Sequence, residues 1–80
     1  MTNPRSIERF GEKLRALRVR RDMTLKGLAN ELGLTSHGYI SELEAGKKMP
    51  TAEFVLNVAR LFGVTTDELL RDELELKSKE

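Results

Sequence analysis

Two short apolar stripes on either side of a glycine, between Thr24 and Leu43, restrict what this chain can fold into more than any other stretch. In the first, Leu25, Leu28, Ala29 and Leu32 recur at spacings of three, one and three, the period of one helix face. Gly33 predicts the end of that helix, because glycine enters the left-handed region without steric cost. Thr35 or Ser36 then offers a hydroxyl to cap a second helix. That second helix buries Ile40 and Leu43 and turns His37, Gly38, Ser41 and Glu42 elsewhere. The rest of the chain is the frame that holds this pair.

The frame reads as three more helices. Helix 1 is predicted over Ser6 to Arg21, with Ile7, Phe10, Leu14 and Leu17 as its buried stripe. Arg18, Arg20 and Arg21 fall in its last turn, where cations complement the helix dipole. Residues 1–5 are expected to fray, although Asn3-Pro4 can open a helix. Asp22-Met23 connects, and Thr24 caps helix 2. Helix 3 stops at Glu44-Ala45-Gly46, and Pro50 disfavours helix at Met49. Thr51 caps helix 4, predicted over Ala52 to Phe62, which buries Val55, Val58, Ala59 and Phe62 with Phe54 and Leu61 at its flanks. Gly63 closes it. Thr65 with Glu68 three residues on is a capping box, opening helix 5 over Thr66 to Arg71 with Leu69 and Leu70 inward. An acidic tail, 72–80, follows. The expectation is one all-α, five-helix domain over 1–80 with its core in 6–71.

Eighty residues make one small domain that buries only ~60% of its unfolded surface. There is no cysteine, so disulfides and thiolate metal sites are excluded. No apolar run approaches the ~20 residues of a membrane span, and the first residues lack a signal-peptide core. A soluble cytoplasmic protein is expected. With one histidine, no phosphate-binding glycine loop, and Glu42 and Glu44 two apart on different faces of a helix, no enzyme chemistry, metal, cofactor or small-molecule ligand is expected. Net charge is +1, but it is unevenly spread. Residues 1–21 carry seven Lys/Arg against two Glu, residues 22–48 three against four acids, and residues 49–80 four against seven. Such runs commonly just solvate helix surfaces. The functional alternative is a basic N-terminal part near phosphates and an acidic C-terminal part kept away.

A helix, a glycine-bearing turn, and a helix with a small polar exposed face is the build of a DNA-reading helix-turn-helix. His37 and Ser41 can hydrogen-bond base edges, and Gly38 lets the backbone come close. Tyr39 either packs only or also reaches a phosphate with its hydroxyl. Lys47 and Lys48 flank helix 3 as phosphate contacts that position without reading sequence. Thr24, Lys26, Ser36 and Thr51 stand at helix starts, where backbone N–H groups favour anions; the threonines are caps first.

Residues Gly11 to Leu70 resemble the Cro/lambda-repressor type of helix-turn-helix, the Xre family. The resemblance is carried by Leu14-Arg15-Ala16-Leu17-Arg18, Leu28-Ala29, Gly33, Tyr39-Ile40-Ser41, Leu43-Glu44-Ala45-Gly46-Lys47, Pro50, Ala59-Arg60-Leu61-Phe62-Gly63-Val64 and Asp67-Glu68-Leu69-Leu70. It implies a five-helix lambda-repressor-like domain with helix 3 in the major groove of double-stranded DNA, usually as a homodimer on a palindrome. It also implies an ion pair between Arg18 and Glu44. Two departures stand out. Leu25 occupies a position where the family usually has a phosphate-binding glutamine. The stretch from Gly33 to Lys47 is also one residue longer than in the family, which places the extra residue in the turn and makes Ser36 the cap. The expected function is a sequence-specific transcriptional regulator, like a phage repressor or a restriction–modification controller. An antitoxin, or an interaction module with weak DNA binding, is the alternative. Phe62, Val64, Leu69, Leu70 and Leu74 are the expected dimer surface.

Overall fold

The structure, a computed structural model, describes residues 8–76. Among these the chain forms five helices and no strand: α1 (Phe10–Arg20), α2 (Leu25–Glu31), α3 (Gly38–Glu44), α4 (Ala52–Phe62) and α5 (Thr66–Leu70). Ser6, Ile7, the expected frayed end and residues 77–80 lie outside the described residues. None of the described helices is long and apolar enough to cross a membrane.

The helix starts follow local chemistry. Thr24, Thr51 and Thr65 each accept a hydrogen bond from the backbone N–H three residues on, at Gly27, Phe54 and Glu68. Glu68 closes the box by accepting from the Thr65 N–H at 2.8 Å. Gly33 (φ +75°) ends α2 and Gly63 (φ +68°) ends α4, in a conformation that a Cβ would strain.

The apolar faces meet in one core. Phe10, Leu14 and Leu17 of α1 pack with Leu28 and Ala29, Ile40 and Leu43, and the inner face of α4 from Phe54 to Phe62. Leu69 of α5 closes it from below with no exposed surface. Phe54, expected at a flank, is buried. It takes the ring edges of Phe10 and Tyr39, with centroids 6.3 and 5.1 Å away.

Helix α1 begins later than expected, because residues 8–9 form a turn. Its opening is capped by a residue more than sixty positions later. The Asp72 carboxylate accepts from the Glu8 and Arg9 N–H groups at 3.0 and 2.9 Å. Arg9 answers by donating to the Asp72 carbonyl at 2.8 Å and pairing with Glu75 at 3.1 Å. Lys13, 1% exposed, completes the clasp. Its ammonium donates to the carbonyls of Glu68, Arg71 and Leu74 at 2.6, 2.8 and 2.8 Å. These oxygens include the free end of α5, so a side chain of α1 caps α5 while a side chain of the tail caps α1. Burial pushes the Lys13 ammonium below the ordinary lysine range, and the three oxygens solvate its charge in place of water. Residues 72–76 therefore belong to the fold and are not a detached acidic tail; Leu76 packs against the core.

Helices α1 and α3 touch at Gly11. A Cβ there would run into the Leu43 carbonyl oxygen and lie 3.1 Å from the Glu44 Cα, both backbone atoms that cannot swing aside. Gly11→Ala should force α3 outward and lower stability by about 2 kcal/mol, the scale of overpacking a tight contact. Urea denaturation measures this; an unchanged midpoint would mean the two helices are not in this contact.

Candidate nucleic-acid interface

The α2–α3 pair is set by backbone geometry. After Gly33 the Leu34 N–H returns to the Ala29 carbonyl at 2.8 Å, and half-buried Leu32 and Leu34 fasten the turn to the core. Helix α3 starts at Gly38, with its first helical bond from the Ser41 N–H to the His37 carbonyl at 3.0 Å. Ser36 is not the cap residue itself. That position falls on His37, whose side chain makes no capping bond, and the Ser36 hydroxyl accepts from the Gly38 N–H at 3.2 Å. Ile40 and Leu43 face fully inward, which leaves His37, Gly38 and Ser41 exposed as expected.

The frame holds α3 at its far end through Arg18. Its guanidinium meets both Glu44 carboxylate oxygens, at 2.8 and 3.1 Å, and donates to the Met23 carbonyl at 2.9 Å. The side chains are 14% and 8% exposed, so the pair joins α1, the connector and α3 in a largely dry position. Glu44 holds the Arg18 pKa above its ordinary value, through the side-chain hydrogen bond first.

The expected contact residues are all exposed except Tyr39. Thr24 and Lys26 are exposed at the start of α2. Lys47 and Lys48 are exposed beyond α3, where Gly46 (φ +78°) turns the chain. Tyr39 is half-buried on Phe54, and its hydroxyl oxygen accepts from the Thr51 N–H at 3.3 Å, so it packs and also steadies the start of α4. Leu25 packs against the core instead of facing outward as a polar contact.

Part of the N-terminal positive charge is used inside the fold: Arg9 is paired with Glu12 and Glu75, Lys13 is buried, and Arg18 holds Glu44, while Arg15, Arg20 and Arg21 are exposed. Asp72 and Glu75 of the acidic C-terminal part rest on α1. One expectation needs correction: Phe62 and Leu69, expected at a dimer surface, are 5% and 0% exposed in the core. A partner cannot touch side chains that α4 and α5 already use to close the domain. Val64, Leu70 and Leu74 remain half-buried.

Among the described residues no cluster of His, Asp or Glu is arranged to hold a metal ion. The sequence is similar to known regulators. It is 41% identical over 64 residues to the HTH-type transcriptional activator BcrR of Enterococcus faecalis, covering 80% of this chain and 31% of that protein. It is 36% identical over 75 residues to the transcriptional repressor RstR of the cryptic phage CTXphi in Vibrio cholerae, covering 88% of this chain and 67% of that protein. The chain thus spans about a third of one relative and two thirds of the other. In structure it is similar to the restriction–modification controller protein C.AhdI from Aeromonas hydrophila, with a TM-score of 0.69 at 26% identity over 80% of this chain and 96% of that one. Residues 9–74 match the family model described as a helix-turn-helix domain, and the chain belongs to that family, in its Cro/lambda-repressor branch.

Proposed function

We propose that this domain binds operator DNA as a homodimer and regulates transcription, with α3 in the major groove. The observation that carries this is the register of α3: His37, Gly38 and Ser41 point outward over a fully buried Ile40 and Leu43. His37 and Ser41 supply hydrogen-bonding groups for base edges, and Gly38 lets the helix start approach closely. Lys26 and Lys47 supply charge for phosphates, while the starts of α2 and α4, at Thr24 and Thr51, offer backbone N–H groups. Ser36 and the Tyr39 hydroxyl add further hydrogen-bonding groups. Val64, Leu70 and Leu74 form the dimer surface. The role is one of binding and not catalysis, exercised in the cytoplasm in the manner of a phage repressor or a restriction–modification controller.

An interaction module or antitoxin with weak DNA binding is the second reading. It is favoured by the internal use of Arg9, Lys13 and Arg18, which leaves less open positive charge than the sequence promises. Binding to random duplex across a salt series separates the two. Several phosphate contacts should reduce affinity by ~10³-fold or more between about 50 and 200 mM salt through counterion release. A flat, weak response would favour the interaction module.

A further inference from the structure

Beside the outward face of α3 the structure pairs two opposite charges. Glu42 lies in the last turn of the helix, and Lys48 lies in the loop beyond Gly46. Lys48 Nζ and Glu42 Oε1 are 3.1 Å apart, and the two side chains are 54% and 46% exposed. Nζ also stands 5.9 Å from the Tyr39 ring centroid. The loop backbone returns to the same place, for the Lys47 N–H donates to the Glu42 carbonyl at 2.9 Å. The Lys48 side chain is thus laid back along α3 with its charge matched. Glu44 is turned inward to Arg18, so Glu42 is the carboxylate that α3 leaves open to solvent.

Resting on the DNA-binding function proposed above, we infer that Glu42 is a positioning residue that withholds Lys48 from phosphate and so restrains non-specific binding. For Lys48 to reach a phosphate, it must exchange one anion for another. The carboxylate it vacates then faces a polyanion without its counter-charge. An exposed pair of this kind is weak, so it biases Lys48 without locking it. Lys47, the residue before it, is exposed on the same loop and keeps its charge for the duplex.

The test is binding of the full chain to random duplex over a salt series, for the parent, E42Q, K48Q and the double variant. E42Q should bind several-fold tighter, with its log–log salt slope steeper by about 0.9, the share of one phosphate contact. K48Q alone should leave the slope near that of the parent, and the double variant should return to it. Matched melting curves establish that all four are folded. A full-contact loss of slope in K48Q alone would mean that Lys48 already holds a phosphate, and overturns the inference. So would an equal steepening by E42Q when Lys48 is absent, which is bulk charge repulsion. A parent that shows no salt-dependent binding removes the DNA-binding function and this inference together; a wrong slope pattern in a parent that does bind removes this inference alone.

Discussion

Lys13→Met should destabilise the domain by ~3 kcal/mol or more. Methionine keeps the apolar stem but withdraws three charge-assisted hydrogen bonds at once, from the carbonyls of Glu68, Arg71 and Leu74. Each such bond contributes about 1.5–3 kcal/mol, and water recovers part of the loss at the outer two oxygens. A domain of this size holds only about 4–12 kcal/mol in total. The melting temperature should therefore fall by roughly 12–24 °C. Amide exchange should rise first over α5 and residues 72–76, because the clasp joins these to α1. A fall of only a few degrees would show that the Lys13 ammonium is not what closes that end.

Glu44→Ala is the second large effect, at about 3 kcal/mol. The alanine leaves the Arg18 guanidinium in a mostly dry site with the Met23 carbonyl as its remaining acceptor among those described. The cost comes mainly from that stranded charge and less from the lost attraction. Removing both charges with Arg18→Met and Glu44→Leu should therefore be milder than Glu44→Ala alone. A melting temperature within a degree or two of the parent for Glu44→Ala would count against the pair. If α3 reads DNA, the same substitution should weaken operator binding beyond what unfolding explains, since Glu44 anchors the end of that helix.

The features that were legible in the sequence are those whose two partners lie close together along it. Thr24, Thr51 and Thr65 cap N–H groups three residues away, so each helix start is written locally. The outward face of α3 was legible because Ile40 and Leu43, three apart, fix the side opposite. Asp72 was not legible, since the groups it caps lie 63 and 64 positions earlier. Lys13 did leave a signal. It sits in the series Phe10, Lys13, Leu14, Leu17, at spacings of three, one and three, where an apolar residue belongs. A lysine on a buried stripe needs acceptors, and helix ends supply them. Phe62 and Leu69 were placed at an interface because periodicity says which face is apolar but not what covers it. The Glu42–Lys48 pair was hidden for a different reason. It depends on the path of the chain through Gly46, which charge counting does not contain.

The cap that Asp72 places on α1 also bears on the order in which this protein can be made. A ribosome that has already synthesised all five helical segments still has not supplied the carboxylate that finishes the first of them. The start of α1 is thus secured only by a residue 63 positions beyond Arg9, whereas α2, α4 and α5 each carry their own threonine cap and can close as soon as they are made.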